Sequence, residues 1–523
     1  MNQQINKLFI SFSKRAEKVD HQTLVDSFVD VGPLFTVLST TDNQVLYGRR
    51  GTGKTHALVY LAEKKKEAGD IPVYIDLRQV GSTGGIYSDP IIPFSERATR
   101  LLIDTLVCVH DELIDESLKD DSHLDLNKVA PILDEMAEAI SEVTVSGPIE
   151  EEMSGTGLRK TTTSEDLGFS ISPKTASFSV SSKTGSEQEE QDTYRLKRAG
   201  TRIHRINFGR VGDVFTRLMK ALNGVKLWIV LDEWSVIPLE LQPYLSDLLR
   251  RSLFPVPGIT VKIGAIEKRS SFQLTLDGGD YIGIELGGDA SADLNMDDFM
   301  VFENDETRAV AFFQNMIFRH FQSLAEENIE VELPTSEREL IRTAFTQENV
   351  FRELVRAAEG IPRDALYILS MASQADFSKA ISIDTVRKAS KTWYQRDKET
   401  AVSANQRALQ LLHWIIDNVI AHRRSRAFLL QRTISNHLID KLFDARVLHL
   451  LKRNISAHDK PGVRYDVYKI DYGCYVDLLL TAKSPLGLLE TETGTFVDVP
   501  PDDYRAIRRA ILDIDEFEKE ATN

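Results

Sequence analysis

Residues 48–55 combine glycines, a lysine and a threonine at a spacing that suits the binding of phosphate groups. The segment reads GRRGTGKT and fits the pattern G-x-x-x-x-G-K-[ST] without a mismatch. Glycines let main-chain N–H groups turn inward around a phosphate, and the N-terminus of a following helix adds its positive end. Lys54 can then reach the β- and γ-phosphates, while the Thr55 hydroxyl is a hard oxygen ligand for Mg²⁺. The predicted phosphate-binding residues are Gly48, Arg49, Arg50, Gly51, Thr52, Gly53, Lys54, Thr55 and His56.

A second motif of the same chemistry ends the apolar segment KLWIVLDE, which begins at Lys226. An apolar strand that ends in Asp-Glu places two carboxylates at the edge of a sheet. Asp232 is predicted to hold Mg²⁺ together with Thr55, mostly through water. Glu233 is predicted to orient and polarise the attacking water, because phosphoryl transfer depends on positioning and charge stabilisation. The two motifs together indicate hydrolysis of a nucleotide.

Three further charged residues are candidate catalytic groups. Glu267 and Arg269 follow the apolar run that starts at Ile259, and the end of this strand is expected to face the γ-phosphate. Glu267 is a candidate for the polar group that senses that phosphate, whereas Arg269 is equally suited to a structural ion pair. Arg363 stands at the start of a predicted helix, in GIPRDALYIL, from which an arginine can reach over a bound nucleotide. The alternative for Arg363 is a salt bridge at the helix end.

These motifs require a sheet that brings them to one edge. Between Val45 and Asp298, short β-branched runs alternate with longer helical patterns, which is typical of βαβ units and a parallel sheet. The predicted strands are Gln44–Tyr47, Pro72–Asp76, Lys226–Leu231 and Thr260–Ile266. We expect an α/β fold: the parallel sheet of a P-loop NTPase with helices on both faces, then a helical lid and a winged helix-turn-helix.

The changes in pattern along the chain divide it into five predicted segments. They are an N-terminal lead-in (1–44), an ATPase core (45–300), a helical lid (301–398), a winged helix-turn-helix (399–485) and a tail (486–523) with a helix from Asp502 to Lys519. The predicted elements of the fourth segment are helices Asn405–His422 and Ile434–Asp444 and strands Val447–Ser456 and Tyr465–Asp471.

Residues 145–192 interrupt the core and are rich in Ser, Thr, Glu and Gly, which predicts an inserted surface segment. Apolar residues alternate around a proline at 169–180, and this pattern predicts an exposed hairpin. The hairpin is either a surface decoration or an element that binds a partner or a second copy, because an exposed apolar face usually has a use.

The chain is acidic overall but not in its C-terminal part. The net charge is -16, from 63 Lys and Arg against 79 Asp and Glu, which argues against a surface coated for non-specific nucleic-acid binding. Residues 401–480 nevertheless hold 12 Lys and Arg against 7 Asp and Glu. The candidate nucleic-acid contacts are Arg423, Arg424, Arg426, Arg432, Asn436, Lys460 and Arg464, with Lys452 and Arg453 beside the predicted wing. The predicted recognition helix carries Asp440 and Asp444 against one lysine, so a protein-binding role for the winged helix stays open.

Composition and spacing exclude several classes of protein. No run of 18 apolar residues occurs, and the first residues lack the long apolar stretch of a signal peptide, so neither a membrane span nor secretion is predicted. The two cysteines, Cys108 and Cys474, exclude a disulfide scaffold and a cysteine-based zinc site, and a reducing cytoplasm is expected. No nuclease, protease or deaminase constellation occurs, and the dispersed histidines suggest no metal besides Mg²⁺.

The order of these motifs resembles that of AAA+ ATPases, and in particular the origin-recognition-complex type of initiator ATPase. The resemblance rests on GRRGTGKTH, LWIVLDEW, a further strand and GIPRDALYIL ahead of a predicted winged helix. It covers residues 40–480 without the 145–192 insertion. It implies ATP as the nucleotide, Mg²⁺ as the metal, and a homo-oligomer in which an arginine of the neighbouring subunit completes the site. Arg250, Arg251 and Arg269 are the candidates for that arginine.

Similar parts also occur in STAND signalling ATPases, in which the winged helix packs against the core and acts as a switch. Bacterial ATPases of similar layout are associated with genome defence, including antiviral defence, or with mobile elements. Two functions therefore stay open: a nucleotide-driven assembly or loading switch on double-stranded DNA, and a STAND-type scaffold that acts through a separate effector protein. If Arg423, Arg424 and Arg426 pack into the ATPase core, the second function is favoured. If they face solvent, DNA binding is favoured.

Overall fold

The computed structural model describes most of the chain. The described residues are 1–15, 19, 21–30, 32–80, 85–119, 125–140, 143–146, 201–204, 206–276, 278–299, 305–325, 334–420, 426–456, 462–479 and 510–520. The hairpin predicted at 169–180 lies outside them, and so do Arg423, Arg424 and Lys460 of the candidate nucleic-acid contacts.

Within these ranges the first half of the chain mixes strands and helices, and helices dominate the second half. The strands are β1 (Gln44–Tyr47), β2 (Ile71–Asp76), β3 (Val143–Ser146), β4 (Thr201–His204), β5 (Leu227–Asp232), β6 (Ile259–Ala265), β7 (Gln273–Thr275), β8 (Tyr281–Gly283), β9 (Ser291–Asn295), β10 (Ala427–Gln431), β11 (Leu448–Ser456) and β12 (Arg464–Ile470). The helices are α1 (Asn2–Ser11), α2 (His21–Ser27), α3 (Leu34–Leu38), α4 (Lys54–Glu67), α5 (Phe94–Ser117), α6 (Leu126–Ile140), α7 (Phe208–Ala221), α8 (Gln242–Leu248), α9 (Met296–Phe299), α10 (Glu306–Ala325), α11 (Glu337–Ala344), α12 (Glu348–Ala357), α13 (Pro362–Ala375), α14 (Ile383–Trp393), α15 (Thr400–Ser403), α16 (Gln406–Trp414), α17 (His437–Asp444), α18 (Tyr472–Leu479) and α19 (Ile514–Glu520). None of these helices has the length and apolarity to cross a lipid bilayer.

The central sheet has five parallel strands in the order β2-β5-β6-β1-β9. Strands β5 and β6 are buried along their whole length, as expected for apolar strands covered by helices on both faces. Because the strands run in one direction, the carboxyl ends of β1, β5 and β6 meet at one edge of the sheet. The predicted α/β fold with the parallel sheet of a P-loop NTPase is therefore confirmed.

Four of these strands end within one residue of the bounds that the sequence predicts. The fifth strand, β9, has no counterpart among the predicted strands. Its sequence, SADLN, contains a single large apolar residue, and within the central sheet it pairs only with β1 at the edge. An edge strand of this composition leaves no apolar run or alternation for a sequence pattern to detect.

Apolar clusters cover the two faces of the sheet. On one face, Ile229 and Leu231 of β5 pack in a cluster with helices α5, α6, α7 and α8, which contribute residues such as Phe215. On the other face, Trp228 and Val230 pack in a cluster with helix α4. The alternation of neighbouring β5 residues between the two clusters follows from the period of two in a strand. The sheet and its helices thus form one body around the carboxyl-end edge.

A further apolar core unites segments that lie far apart in the sequence. It contains Phe9 of α1, Phe313 and Leu369 of the helical layer (helices α10 to α14), and Leu442 and Val467 of the C-terminal unit (described residues between 426 and 479). The predicted lead-in is therefore packed with the helical layer through α1. The helical layer and the C-terminal unit also share this core, so they form a second body beside the sheet.

The C-terminal unit consists of a three-stranded antiparallel sheet and two helices. The strand order is β10-β12-β11, and helix α17 lies between β10 and β11 in the sequence. Helix α17 begins later than the predicted Ile434 because Asn436 caps it, its side-chain oxygen accepting a hydrogen bond from the Leu438 N–H.

The tail contributes an extended segment before its helix. The Leu429 N–H donates to the carbonyl of Ala510 and the Leu512 N–H donates to the carbonyl of Leu429, so this segment runs alongside β10. The predicted helix from Asp502 is therefore wrong for these residues, and the observed helix begins at Ile514. Backbone pairing with a strand edge took precedence over the local helical pattern.

Candidate functional site

The glycine-rich loop connects the end of β1 to the start of helix α4. Gly51 and Gly53 have φ angles of 88° and 98°, a region that favours glycine. Gly51 has a second constraint, because a Cβ at this position would lie 2.7 Å from the Cβ of Arg363. The loop therefore wraps closely around the N-terminus of α4, where free main-chain N–H groups and the helix dipole favour an anion.

Lys54 is buried and folded back onto the loop. Its ammonium group donates hydrogen bonds to the carbonyl oxygens of Gly48 at 2.7 Å and Arg49 at 3.1 Å. Burial lowers the pKa of Lys54, and the nearby carboxylates of Asp232 and Glu233 oppose that shift. A phosphate oxygen is a stronger acceptor than a carbonyl, because hydrogen bonds between ionised groups are the stronger ones. Lys54 thus occupies a position from which a phosphate could draw it.

Asp232 is fully buried at the end of β5 and collects three donors. The Thr55 hydroxyl donates to its Oδ2 at 2.6 Å, the Tyr74 hydroxyl donates to the same oxygen at 2.9 Å, and the Glu233 N–H donates to Oδ1 at 2.8 Å. Space on its other side is kept by Gly264 of β6, where a Cβ would lie 2.5 Å from Oδ1. The hydroxyl of Thr55 and the carboxylate of Asp232 form an adjacent pair of hard oxygens, a donor set that fits Mg²⁺.

Glu233 is held in an unusual backbone conformation beside this pair. Its φ of 58° and ψ of 36° lie in the left-handed region, which costs a non-glycine residue about 1–3 kcal/mol. Its side chain is 23% exposed, and its Oε1 lies 4.0 Å from the guanidinium of Arg78, which also pairs with Asp76. The strained turn separates the two adjacent carboxylates: Asp232 is buried under the sheet edge, whereas Glu233 reaches the open cleft.

A cleft of about 560 Å³ lies at this edge of the sheet. Its lining includes loop residues 50–56, Arg78, Glu233 and Arg363. Arg363 opens helix α13, and its main-chain N–H donates to the Gly51 carbonyl at 3.2 Å, which joins the helical layer to the loop. Side chains from the loop, the end of β5 and the helical layer therefore converge on one cavity.

The same cleft is also lined by apolar side chains, which lie among polar ones such as Lys14, Arg15 and His320. It is lined by Phe12, Leu24 and Phe28 from the N-terminal helices and the segment between them, and by Phe312 and Met316 from helix α10. No motif marks these residues in the sequence, and they belong to the lead-in and the predicted lid. Donors that suit phosphates and apolar side chains that suit a flat ring give the cleft the two kinds of lining that a nucleotide site needs.

Glu267 and Arg269 do not line this cleft, which corrects their prediction as groups that face the γ-phosphate. Glu267 accepts two hydrogen bonds from Arg453 of β11, at 2.9 and 2.7 Å, and one from the Asn295 amide at 3.2 Å. Arg269 forms an ion pair with Asp444 of α17, and this contact also leaves it engaged within its own chain. Both side chains form ion pairs at the interface between the sheet body and the C-terminal unit, which we call the seam.

Arg49 belongs to the phosphate loop but points away from the cleft. Its guanidinium pairs with Asp297 at 2.9 Å, donates to the Leu448 carbonyl at 3.0 Å and contacts His449 Nδ1 at 3.2 Å. It also lies 4.5 Å from the centre of the Phe443 ring. With an exposed fraction of 4%, this side chain is enclosed by residues of both bodies.

The described nucleic-acid candidates divide into buried and exposed residues. Arg426 is buried, paired with Glu359 of the helical layer and bonded to the Ile470 carbonyl, so its prediction as a DNA contact is wrong for this conformation. Arg432 and Arg464 are exposed, and the Arg432 N–H donates to the Arg464 carbonyl at 2.9 Å. Asn436 uses its side-chain oxygen as the cap of α17.

The two other arginines predicted to act on a neighbouring subunit lie in the π-helical continuation of α8. Arg250 and Arg251 both pair with Asp247, and Arg250 also lies 4.7 Å from the centre of the Tyr281 ring. The side chain of Arg251 is the more exposed of the two, at 53%. Neither residue lines the cleft of its own chain.

Sequence reasoning missed Tyr74, Arg78, Asp297 and His449. A signal existed for the first two, because they lie in and just after a predicted strand that a parallel sheet places beside β5. Asp297 follows the strand that has no detectable pattern. His449 lies 400 residues from its Arg49 partner, and nothing local in the sequence indicates that contact.

The strand order, the glycine-rich loop after β1 and the Asp-Glu pair after β5 define the fold of a P-loop ATPase. A family model described as ORC-CDC6-like matches residues 10–67, a span that contains β1, the loop and α4. In this segment the chain is similar to ORC-CDC6-like proteins, which agrees with the resemblance to origin-recognition-type AAA+ ATPases.

Two further comparisons have little weight. No curated protein matches the chain significantly. A solved structure of the Orc1 protein of Aeropyrum pernix in complex with DNA aligns with 87% of this chain and 95% of its own, at 13% identity and a TM-score of 0.32. At this TM-score the alignment supports no inference about the chain.

Proposed function

We propose that the chain binds ATP with Mg²⁺, hydrolyses it, and uses the nucleotide state to switch its action on DNA. The observation that carries this proposal is the convergence of Lys54, Thr55, Glu233 and Arg363 on one cleft, with Asp232 directly behind Thr55. Thr55 and Asp232 would hold the metal. When bound, Mg²⁺ neutralises negative charge on the β- and γ-phosphate oxygens.

The chain's own residues then have distinct tasks. Lys54 exchanges its carbonyl partners for phosphate oxygens, and Tyr74 keeps the carboxylate of Asp232 turned toward Thr55. Glu233 orients a water for attack, and its left-handed backbone directs the carboxylate into the cleft. Arg363 reports on the nucleotide to the helical layer, because its main chain is already bonded to Gly51.

The proposed division of the chain follows from these tasks. The ATPase core is residues 45–300 with the 145–192 insertion, the lid is 301–398, the winged helix-turn-helix is 399–485 and the tail is 486–523. The apolar side chains that line the cleft take the adenine ring, and the lead-in (1–44) supplies some of these side chains. In a homo-oligomer, Arg251 is the better-placed candidate for the arginine that completes a neighbour's site, because its side chain is more exposed than that of Arg250.

DNA is the proposed partner of the winged helix. The match to an ORC-CDC6-like family supports a DNA-associated role, and the excess of basic residues in 401–480 supports an electrostatic contact. Arg432 and Arg464 are exposed on neighbouring strand ends and form the proposed phosphate-contacting pair, whereas Arg426 is buried in the protein.

One observation favours the STAND-type alternative, a scaffold that acts through a separate effector protein. The C-terminal unit is docked: Arg426 packs against the helical layer, and strand β11 contacts Arg49 of the phosphate loop. In such a scaffold the nucleotide holds a closed state and turnover is slow. The two proposals differ in whether DNA changes the rate of hydrolysis.

The test is the rate of ATP hydrolysis by the full chain, with and without double-stranded DNA. We expect Glu233→Gln to abolish turnover while ATP binding remains, and Lys54→Ala to abolish binding. DNA should raise the rate several-fold. Two exposed residues provide matched controls, Glu348→Gln on α12 and Lys66→Ala on α4, and both should behave as wild type.

Each outcome separates the proposals. A wild-type chain that does not bind ATP would contradict both. Tight binding with slow turnover that DNA leaves unchanged would favour the scaffold. Turnover that survives Glu233→Gln would remove that residue from the proposed mechanism while leaving the site in place.

A further inference from the structure

The buried guanidinium of Arg49 joins the phosphate loop to the C-terminal unit. Its partners Leu448 and His449 lie on β11, and Phe443, whose ring it overlies, lies at the end of α17. His449 is neutral here, because burial and the adjacent Arg49 hold its pKa well below the ordinary range. Its Nδ1 accepts from Arg49 and its Nε2–H donates to Asp471 at 3.2 Å. A buried charge with this many specific partners fixes one geometry of the two bodies.

The main chain of Arg49 is tied to the phosphate-binding lysine. The Arg49 carbonyl accepts from Lys54 Nζ at 3.1 Å and from the Thr52 hydroxyl at 2.9 Å, and the Arg49 N–H donates to Asp297 at 3.0 Å. A phosphate that draws Lys54 away removes one of the bonds that hold this peptide. The peptide that carries the Arg49 side chain is therefore in direct contact with the group that is proposed to bind phosphate.

Three ion pairs also link the ATPase core to the C-terminal unit across the seam. Arg269 pairs with Asp444, Lys268 lies 3.6 Å from Asp440, and Arg453 forms two bonds to Glu267. Asp440 and Asp444 are the acidic residues of α17 that weaken its case as a DNA-reading helix. Here they face a basic turn of the ATPase core. Partly exposed ion pairs are individually weak and depend on salt, so this seam can open reversibly.

The same second body also contacts the other end of the loop. Arg363 bonds to Gly51, and its neighbour Asp364 forms a buried ion pair with Lys398 at 2.8 Å. Lys398 pairs in turn with Asp471, which accepts from His449. Both ends of the phosphate loop thus contact the same packed body, so a movement of that body would displace both ends.

We infer that the contact of Arg49 with His449 and Leu448, supported by the Arg269–Asp444 and Lys268–Asp440 pairs, is an intramolecular latch that opposes ATP binding. The inference rests on the proposed ATP site. The docked C-terminal unit stabilises the loop with Lys54 folded back, and phosphate binding weakens the docking. By reciprocity, anything that releases the C-terminal unit tightens the binding of ATP by the same factor. The acidic face of α17 is available to a partner only after release.

The test uses charge reversal at the seam in the full chain. Arg269→Asp and Asp444→Arg each break the pair, and the double variant restores it with the charges exchanged. Arg100→Asp is the matched control, because this exposed arginine of the sheet body pairs with Glu96 on its own helix, away from the seam contacts described above. Docking is measured as the distance between spin labels at Lys66→Cys and Lys441→Cys, by double electron–electron resonance. The background carries Cys108→Ser, and Cys474 is left in place because it is buried. Affinity is read with a fluorescent ATP analogue and Mg²⁺.

We expect both single variants to broaden the label distance and to bind the analogue about two- to fivefold more tightly, a range set by ion pairs of about 1 kcal/mol or less. The double variant should return to the wild-type values, and Arg100→Asp should not differ from wild type. A broadened label distance with an unchanged affinity for the ATP analogue would overturn the latch but leave the proposed function intact. Labels that stay docked in both single variants and in Arg49→Gln would also overturn it. Absence of binding by wild type and every variant would overturn the proposed function as well.

Discussion

The two bodies of this protein are held together internally by different means. The sheet body is covered on both faces by apolar side chains, and the hydroxyl and carboxylate groups of its site are confined to one edge. The second body has an apolar core too, and it also buries the ion pairs of Lys398 with Asp364 and Asp471. The buried Lys262 of the sheet body is instead bonded to main-chain and amide oxygens. The seam between the two bodies is formed by partly exposed ion pairs around Arg49. This difference suggests that each body is stable by itself and that the contact between them at the seam can open.

The buried charges of the second body should give the largest effect on stability. Lys398→Met leaves the carboxylates of Asp364 and Asp471 without their shared cation in a dry environment, so we expect the free energy of unfolding to fall by about 3–5 kcal/mol. Urea unfolding measures it. Lys388 pairs with Asp384 at the surface, so Lys388→Met should change little. Equal effects of the two substitutions would show that the two buried carboxylates do not depend on Lys398 to offset their loss of solvent.

The next prediction tests whether the two bodies unfold separately. Leu245→Ala in the sheet body and Leu411→Ala in the second body each remove a fully buried side chain, at a cost of about 2–5 kcal/mol. Calorimetry should resolve two transitions, with the Leu245 variant lowering one and the Leu411 variant lowering the other. A single transition shifted by both substitutions would mean that the seam couples the bodies more strongly than its ion pairs suggest.

The seam itself should contribute little to the stability of either body. Arg453→Gln removes the two bonds to Glu267, both partners being about one-third exposed, so the expected loss is no more than about 1 kcal/mol. The same substitution should make the docking of the C-terminal unit more sensitive to salt, as measured by the label distances. A large loss of stability without a change in docking would place this pair within a body.

A separate prediction concerns the pH dependence of stability that His320, a residue lining the cleft, should produce. Burial lowers its pKa from 6.5 to about 4, which outweighs the hydrogen bond to the Met316 carbonyl. Between these two values the unfolded chain binds the proton and the folded chain does not, so stability decreases as the pH falls from 6.5 to 4. The difference in unfolding free energy between wild type and His320→Gln should decline over that interval. A difference that stays constant with pH would contradict a buried neutral imidazole.

Local patterns were sufficient for four of the five strands of the central sheet and for the glycine-rich loop and Asp-Glu pair of the proposed site. The predicted strands match because fully buried parallel strands have continuous apolar sequences with turns at their ends. The roles assigned to Lys54 and Asp232 follow from motifs whose spacing already places them at one edge. The apolar lining of the cleft could not be predicted in this way. It comes from the residue after α1, from α2 and the residues that follow it, and from α10, and each contributes side chains that look like ordinary core.

The sequence alone determined that this chain has a P-loop fold, where four strands of its central sheet begin and end, and which residues form the glycine-rich loop. These features depend on interactions between residues close in the chain. Only the tertiary structure decided that Arg49 turns away from the phosphates, that Glu267 and Arg269 bind the C-terminal unit, and that Arg426 is buried. Each of those side chains is charged, and a charge takes whichever partner folding brings within reach. For Arg49 and Arg269, that partner lies more than a hundred residues away.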